Sequence, residues 1–513
     1  MSILDKASLI QIPSGYKSTK LYSLRPSNGD GDFTFARSSS GTRVNSEGLI
    51  ETAQVVSTTE LVTNGDFDTD SDWNKGTGWT ISGGTANNNG ASGSNNLSQS
   101  SILVVGKKYK IDITVSNYVS GNVQVSAGAS PRDTMTANGT YTFYQTCTPN
   151  NNFYIIANSF NGSIDNVSVK EVFENDVPRL DYSDGSCACL LLEGQRTNLL
   201  TYSNDFTQWT IQSGVTATHN TTETLSPDGT NNATKFVGNG TSGVLKSAPV
   251  TGVVARSIYL KSVSGTVNVI LKDPIFTVTQ KSLSVTTEWQ RFDLIEDNTH
   301  SSTQGLWVDD IPSSGIYMWG GQLESGDYST SLINTSGSTV TRTADVCTNA
   351  GTSATFNDSE GVLFFEGSTL VESGITRVIS ISDGSTSNNI YFNFNQYSNS
   401  FNCEVLSGGS SQFNPSVTMT KVNNNKIALK YKANDFALWI NGTEVATDTS
   451  GSTPTGLDRL NFDLGQGSFD FEGKCKQLMT FNEALSDEEL SDLTGQVNLS
   501  FNNLATFYGY TIL

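Results

Sequence analysis

Two separated segments constrain the fold of this chain most, because each is rich in turn-forming and charged residues and neither has a helical period. The first covers residues 33–51, FTFARSSSGTRVNSEGLIE, and the second covers residues 177–200, VPRLDYSDGSCACLLLEGQRTNLL. Neither can bury a core alone. We therefore predict that both lie extended over a neighbouring surface as two halves of one connector, and that they come together in the fold.

Together the two halves resemble a segment that recurs in virion proteins of tailed bacteriophages. In that pattern Arg-Val-Asn-x-x-Gly-Leu-Ile-Glu passes almost directly into Pro-Arg-Leu-Asp-Tyr and then into Leu-Leu-Leu-Glu-x-Gln-Arg-Thr-Asn-Leu. The matching residues in this chain are Arg43, Val44, Asn45, Gly48, Leu49, Ile50, Glu51, Pro178, Arg179, Leu180, Asp181, Tyr182, residues 190–193, Gln195, Arg196, Thr197 and Asn198.

The chain departs from this pattern in two ways. About a domain's length of sequence separates the two halves, and Gly194 stands where the pattern has proline. The first departure predicts a whole module inserted into the connector. The second indicates a different local turn at Gly194.

Length and composition favour several β-sheet domains. A chain of 513 residues is too long for one core. Its 47 glycines and 10% aromatic residues accompany short alternating segments separated by Gly, Ser and Asn. We predict an all-β protein of several antiparallel β-sandwich or jelly-roll domains on an extended N-terminal connector, with one short C-terminal helix. The predicted divisions are 1–56, 57–172, 173–200, 201–344 and 345–513.

Charge and residue usage argue against several functional classes. A net charge of -20 opposes binding to nucleic-acid phosphates. No apolar run approaches about 18 residues, and the start has no basic region followed by an apolar core, so we expect neither membrane insertion nor a secretion signal. The six scattered cysteines indicate reduced thiols, mostly in cores. Cys187 and Cys189 form a Cys-x-Cys pair, but His219 and His300 do not stand at zinc-finger spacing from it.

The predicted insertion and the segment after the connector have similar openings. Residues 61–67, LVTNGDF, correspond to residues 199–206, LLTYSNDF, and we align Trp209-Thr210-Ile211 with Trp79-Thr80-Ile81. The Asn-Gly-Asp-Phe opening and the Ile-Asp-Asn-Val-Ser-Val closing of the insertion resemble carbohydrate-binding modules of the galactose-binding-like jelly-roll type. The resemblance implies two such modules, at 57–172 and 201–344.

The last predicted domain carries two local signals. Asn441-Gly442 follows an apolar strand and predicts a type I′ hairpin, whose two central residues need positive φ. Ser486 and Glu489 have capping-box spacing and predict a helix to about Leu493, packed through Leu485 and Leu490. These segments resemble the concanavalin A-like, laminin-G-type lectin fold, which hosts both sugar binders and glycosidases.

Residues 1–32 contain apolar side chains without an evident domain of their own. In the virion proteins that the chain resembles, this part lies at the attachment end. We expect these side chains to pack against other subunits or against a capsid or tail partner. A solvated arm, or a strand added to the first domain, is the alternative.

Few residues suggest catalysis. The nearest carboxylate pair is Asp470 with Glu472, at i and i+2 of a predicted strand, and the two histidines lie in polar, turn-like sequence. We assign no catalytic, cofactor-binding or metal residue. A structural calcium ion at Asp66 or Asp165 is the alternative for a cofactor.

Sugar binding is the favoured chemistry, since aromatic faces stack on pyranose rings while polar side chains fix the hydroxyls. The candidate glycan-contact residues are Trp73, Trp79, Trp209 and Trp439. Each of them also fits an ordinary position in a sandwich core, and the sequence does not decide between the two roles.

The resemblance implies a structural protein of a phage particle, a head or tail fibre. Its expected partners are capsid or tail proteins of the same virion and host cell-surface glycans, its expected assembly is a homotrimer, and its expected location is the virion surface after synthesis in the host cytoplasm. The alternative is a polysaccharide depolymerase or glycoside hydrolase with accessory carbohydrate-binding modules.

Overall fold

The computed structural model describes residues 3–17, 19–185, 187–274, 280–298 and 303–495. Strands make up 51% of the described residues and helices 3%, which confirms the all-β prediction. The chain divides into two compact units. One is Gln54–Glu174, and the other combines Met1–Ala53 with Asn175–Leu513. Within the described residues, no helix has the length and apolar character needed to cross a lipid bilayer.

The unit Gln54–Glu174 begins and ends close to the predicted insertion, 57–172. Its core contains the aromatic and aliphatic side chains of alternating strands, from Val62 to Val169. Nine strands form one continuous hydrogen-bonded sheet: Val55–Val56, Asn74–Lys75, Trp79–Ser82, Thr85–Asn89, Ser94–Gln99, Lys108–Ala127, Asp133–Met135, Gly139–Thr146 and Phe153–Phe173.

Two long strands, Lys108–Ala127 and Phe153–Phe173, organise this unit. They pair along most of their length, but the register shifts between Ser116 and Asn122. Such irregularities bend a strand pair and let it contribute to both layers of a sandwich. Gly121 is required at the bend, because its φ is 78° and a Cβ there would lie 2.1 Å from the Ser159 carbonyl oxygen.

The segment after the connector folds as two five-stranded antiparallel sheets around one core. In spatial order, the first sheet contains Thr210–Ile211, Val244–Pro249, Thr303–Asp309, Val267–Lys272 and Gln280–Val285. The second contains Thr216–Thr218, Thr234–Val237, Ile316–Ser325, Gly252–Ser262 and Gln290–Asn298. A 3₁₀ turn, Phe206–Gln208, precedes them, and Arg196–Asn198 pairs with Val340–Arg342.

The C-terminal sandwich has an eight-stranded and a six-stranded sheet. The larger contains Ala7–Gln11, Arg179–Asp181, Cys189–Leu192, Gly473–Phe481, Glu360–Thr369, Asn425–Lys432, Phe436–Ile440 and Thr443–Asp448. The smaller contains Ser410–Phe413, Ser416–Thr418, Ser400–Ser407, Asn389–Phe394, Arg377–Ser382 and Arg459–Asn461. Beside it lie a four-stranded sheet, Tyr16–Lys17, Lys20–Leu21, Phe33–Ala36 and Val346–Thr348, and the pair Thr42–Val44 with Ile50–Thr52.

The two connector halves come together, which confirms their predicted proximity. The Val44 N–H donates to Asp181 Oδ1 at 2.9 Å, and the Tyr182 N–H donates to the Val44 carbonyl at 3.0 Å. The prediction that both halves lie over a neighbouring surface is wrong in part, because each half also supplies a strand with buried side chains. In the first half, Phe33 and Phe35 of strand Phe33–Ala36 are fully buried. Arg179–Asp181 and Cys189–Leu192 are strands of the eight-stranded sheet, because Cys189–Leu192 pairs with Gly473–Phe481.

The N-terminal residues lie elsewhere than the sequence suggested. Ala7–Gln11 pairs with Gly473–Phe481 of the C-terminal sandwich, and Leu9 and Ile10 are fully buried. A long-range strand pairing therefore covers the apolar residues that we had assigned to a partner. This strand belongs to the last domain of the chain, where the alternative had placed it in the first.

Both local predictions in the C-terminal sandwich are confirmed. Asn441 and Gly442 have φ of 50° and 83° between Phe436–Ile440 and Thr443–Asp448. Helix Asp487–Thr494 begins with the Ser486–Glu489 capping box, and Leu485 and Leu490 are buried beneath it. The structure adds one four-residue helix, Ile3–Lys6.

We predict that deletion of residues 57–172 leaves the rest of the chain folded. Val56 pairs directly with Val172, and the two Cα atoms of an antiparallel pair lie only about 5 Å apart, so the chain leaves and returns at nearly the same place and the new bond from Val56 to Phe173 spans a short gap. Thermal unfolding followed by circular dichroism should show the transition of the remaining chain at an unchanged temperature. Aggregation of the deletion variant, or loss of that transition, would contradict the prediction.

Candidate functional site

A buried ion network lies where the connector meets the exit of the second sandwich. Glu193 forms ion pairs with Arg179 and with Arg342, and Arg342 Nη1 lies 2.9 Å from Glu193 Oε2. Asp345 is bonded by Arg179 and by Arg37, whose Nη1 lies 2.9 Å from Asp345 Oδ1. All five side chains are at most 3% exposed. We call these five residues the junction network.

Backbone groups complete the network. Glu193 and Asp345 are tied to each other, because the Glu193 N–H donates to Asp345 Oδ2 at 2.8 Å and the Asp345 N–H donates to the Glu193 carbonyl at 2.9 Å. Ser331 donates its N–H and its hydroxyl to Glu193 at 2.8 and 2.7 Å. Buried charges are stable only when paired and hydrogen-bonded in this way.

The charges of the network decide the protonation of Glu193. Burial alone would raise the pKa of this carboxyl. The neighbouring guanidinium groups of Arg342 and Arg179, with the Ser331 hydrogen bond, instead hold its pKa well below the ordinary 4.5. Glu193 is therefore ionised throughout the neutral range.

A polar cleft of about 610 Å³ opens beside the junction network, lined by both connector halves. Arg43 donates through Nε and Nη2 to Glu51 Oε1 at 3.0 and 2.9 Å, and its guanidinium lies 5.8 Å from the Tyr16 ring centroid. Asn45 donates to Glu51 Oε2 at 3.1 Å. Burial raises the pKa of Tyr16, although the charge of Arg43 acts against it. The cleft offers amide, hydroxyl and paired ionic groups, which suit hydrogen bonding to a polar ligand.

The four predicted glycan-contact tryptophans are buried, so the structure does not support them as contact residues. Their exposed fractions are 7% for Trp73, 5% for Trp79, 5% for Trp209 and 8% for Trp439. Trp79 donates its indole N–H to the Asn95 carbonyl at 3.1 Å. The rings fill sandwich cores, and a sugar could reach them only if those cores opened.

Trp73 and Trp209 hold the opening segments of their modules in the same way. The indole N–H of Trp73 donates to the Asn64 carbonyl at 2.9 Å, and that of Trp209 donates to the Tyr202 carbonyl at 2.8 Å. Each ring packs on the phenylalanine of its opening, at 5.3 and 4.8 Å between centroids. The predicted alignment of Trp209 with Trp79 is therefore wrong, and Trp73 is the structural counterpart.

The carboxylate pair Asp470 and Glu472 lies in the loop before Gly473–Phe481, where we had predicted a strand. Glu472 is 8% exposed, and the Tyr328 hydroxyl donates to its Oε2 at 2.5 Å. Burial, with the charges of Asp463 and Glu472, raises the pKa of Asp470 to about 6. These contacts occupy Glu472 inside the protein.

The same carboxylate explains the glycine at position 194. A Cβ added to Gly194 would lie 2.0 Å from Glu472 Oε1. Any larger residue, including the proline of the phage pattern, would displace Glu472. Gly194 also presents its carbonyl to Arg342 Nη2 at 2.8 Å, which links this turn to the junction network.

The six cysteines and the two histidines are the residues considered for metal or thiol chemistry. All six cysteines are unpaired and five are buried, as predicted, while Cys187 is exposed. His219 Nδ1 lies 3.3 Å from Thr234 Oγ1, and His300 lies outside the described residues. In the part of the chain that the structure describes, no group of three or more His, Cys, Asp or Glu side chains is placed to hold a metal ion. Both oxygens of Asp165 bond to Asn166.

No protein-family model and no curated protein sequence matches this chain. Among solved structures, the CBM40 domain of Ruminococcus gnavus IT-sialidase bound to α2,3-sialyllactose is similar at 21% identity and a TM-score of 0.24. That similarity covers 27% of this chain and 84% of the other. The tandem CBM22 domains of Paenibacillus barcinonensis Xyn10C are similar at 10% identity and a TM-score of 0.20, over 52% of this chain and 98% of the other.

A third similar structure is Trypanosoma rangeli sialidase in complex with sialic acid, at 9% identity and a TM-score of 0.23, over 95% of this chain and 99% of the other. The β-sandwich architecture of this chain is shown by its own strand pairing.

We predict that Glu193→Gln destabilises the protein by about 3–5 kcal/mol, because it leaves the buried Arg179 and Arg342 without their shared counter-charge. The lowered pKa also sets a pH dependence. The contribution of the carboxylate is complete above pH 4.5 and falls as the pH drops towards its folded-state pKa. Urea unfolding at pH 7 and pH 4 should show the difference between wild type and variant shrinking at the lower pH.

Glu51→Gln is the matched control, because Glu51 pairs with Arg43 but its side chain is 39% exposed. Its cost should stay below about 1 kcal/mol. Equal losses in the free energy of unfolding for Glu193→Gln and Glu51→Gln would contradict a special contribution of the junction network to stability.

We predict that Gly194→Ala destabilises the protein by about 1–3 kcal/mol, because the added methyl group drives Glu472 from the Tyr328 hydroxyl. The cost should fall when the substitution is made in a Glu472→Ala background, since the clash is then absent. Gly15→Ala is the control, because its Cβ would meet Tyr22 at an ordinary 3.7 Å. Additive costs in the double variant, measured by denaturant unfolding, would refute this explanation.

Proposed function

We propose that this protein is a structural component of a tailed-bacteriophage particle, a head or tail fibre, whose β-sandwich modules contact glycans on the host surface. The observation that supports it best is the use of the connector residues. Arg179 and Glu193, which match the phage pattern, join Arg37, Arg342 and Asp345 in the junction network. A segment used in this way connects modules mechanically.

The presence of several sandwiches in one chain supports an adhesive role. Several compact β modules in one chain multiply weak contacts, since tethered sites act at effective concentrations up to about millimolar. The polar cleft of Tyr16, Arg43 and Glu51 adds hydrogen-bonding groups at the connector itself. Homotrimeric assembly, contacts with capsid or tail proteins and exposure on the virion surface belong to the same proposal.

Labelling of intact particles tests this function. Antibodies against the unit Gln54–Glu174 should decorate virions of the phage that encodes the chain, at one kind of appendage. Electron microscopy of gold-labelled particles provides the measurement. The deletion of residues 57–172 is the control, because particles carrying it should assemble and lose the label. Unlabelled wild-type particles would refute the proposed location.

The alternative, a polysaccharide depolymerase or glycoside hydrolase, has one supporting observation, the raised pKa of Asp470 near Glu472. We expect no turnover of cell-surface polysaccharides by the purified protein, because Tyr328 and the close approach of Gly194 occupy Glu472. Reducing-end assays on wild type, Asp470→Asn and Glu472→Gln provide the measurement. Turnover that both substitutions abolish would favour the enzyme.

A further inference from the structure

The polar cleft beside the junction network has the size of a small-molecule site. Its volume of about 610 Å³ lies within the range of about 300–1,000 Å³ that such sites occupy. Three stretches of one compact unit line it: residues 14–16, residues 43–51 of the first connector half, and residues 180–182 of the second half. A site built from three separate stretches exists only in the folded chain.

The first set of lining side chains is fixed by mutual bonds. Arg43 and Glu51 lie opposite each other in the strand pair, and Arg43 donates through Nε and Nη2 to Glu51 Oε1. The Asn45 amide donates to Glu51 Oε2 at 3.1 Å, and the ring of Tyr16 lies beneath the Arg43 guanidinium at 5.8 Å. These donors and acceptors therefore have set positions before a ligand arrives, which lowers the entropic cost of binding.

The loop of residues 45–49 is fixed in the same way. Asn45 Oδ1 accepts the N–H groups of Glu47 and Leu49 at 3.0 and 2.9 Å, and the Asn45 N–H donates to the Leu49 carbonyl at 2.8 Å. Gly48 closes the loop with a φ of 80°, in the left-handed region that favours glycine. The loop therefore holds Ser46 and Glu47 in the wall of the cleft.

A second set of lining side chains is available to a ligand. The side chains of Ser46, Glu47 and Tyr182 form no hydrogen bond with another of the described residues. Ser46 and Glu47 are exposed, and Tyr182 is half-buried. Two hydroxyl groups and one carboxylate thus face solvent beside the fixed wall, where they can donate and accept hydrogen bonds.

The charges of the cleft disfavour an anionic ligand. Among the described residues that line it, Arg43 is the one cation, whereas Glu47 and Glu51 are both anions. The Arg43 guanidinium already serves Glu51. The chain as a whole carries a net charge of -20. Phosphate, sulfate and carboxylate groups would therefore meet electrostatic repulsion here.

The backbone of the cleft disfavours a peptide that binds by strand addition, because that mode needs an unpaired strand edge. On one side of the hairpin, Val44 bonds through its N–H to Asp181 and through its carbonyl to the Tyr182 N–H. On the other side, the Ile50 N–H donates to the Pro227 carbonyl at 2.8 Å. An apolar ligand is disfavoured too, since the lining aliphatic residue, Leu180, is only 6% exposed.

We propose that this cleft binds a neutral saccharide. The inference rests on the proposed adhesive function and names the residues and the ligand class of one site within it. Each sugar hydroxyl both donates and accepts, so two neighbouring hydroxyls can bond side by side to Glu51 and Asn45. Tyr182 contributes a hydroxyl group together with an aromatic ring, a combination that suits the mixed polar and apolar surface of a pyranose.

Binding of the full-length protein to a printed array tests the site. The array carries neutral hexose and N-acetylhexosamine oligosaccharides, with sialylated and sulfated ones beside them. Wild type should bind at least one neutral oligosaccharide, and more tightly than any anionic one. In titration calorimetry with that oligosaccharide, Tyr182→Phe should raise Kd about fivefold through the loss of one hydrogen bond, and Glu51→Gln about tenfold through the loss of a charged acceptor.

Two matched controls should leave Kd unchanged. Glu360→Gln matches Glu51→Gln, because Glu360 lies opposite Lys432 in a strand pair, bonds to it at 2.8 Å and has a side chain 30% exposed against 39% for Glu51. Tyr397→Phe matches Tyr182→Phe, because Tyr397 is an exposed tyrosine of the same unit that does not line the cleft.

Thermal unfolding by circular dichroism separates loss of the site from loss of the fold. Tyr182→Phe removes one unbonded hydroxyl, so its melting temperature should equal that of wild type, and its Kd decides the question even if Glu51→Gln unfolds. Neutral binding that Tyr182→Phe leaves unchanged would overturn this cleft as the site while leaving glycan adhesion in place. Tighter binding of anionic oligosaccharides would overturn the ligand class. A wild type that binds no oligosaccharide would overturn the site, while particle labelling still tests the proposed location independently.

Discussion

The fold depends on five buried charges that three distant stretches of sequence supply. Arg37 comes from the first connector half, Arg179 and Glu193 from the second, and Arg342 and Asp345 from the exit of the second sandwich. An unpaired charge at this depth would cost several kcal/mol, so the network is stable only when all three stretches are present. Arginine suits this use because its planar fork serves two carboxylates at once.

This constraint explains how a connector can carry an insertion as long as a domain. Its two halves are joined through space by the network and by strand pairing, with Arg179–Asp181 and Cys189–Leu192 built into the eight-stranded sheet. The chain between them is needed only to return close to where it left. Pairing of Val55–Val56 with the end of Phe153–Phe173 fulfils that condition within the inserted unit.

The aromatic residues show that the sequence did not predict which aromatic side chains are exposed. Trp73 and Trp209 lie in polar sequence, yet their rings are buried and their indole groups hold the openings of their modules. Tyr397 and Phe469 are exposed, but they occupy irregular loops where no periodicity marks them. Exposure at such positions depends on which loops the strand pairing brings to one end of a sheet, and a single chain read linearly does not contain that information.

Local signals in the sequence were sufficient for the all-β class, the Asn441-Gly442 hairpin and the Ser486 capping box, because each depends on a few neighbouring residues and their φ preferences. Only the tertiary structure placed Ala7–Gln11 beside Gly473–Phe481 and brought Arg37 to Asp345. Those pairings join residues hundreds of positions apart, and the free energy that selects them comes from burial and charge neutralisation across the whole assembled unit. The glycine at position 194 is explained in the same way, because only the folded structure places Glu472 in the space beside it.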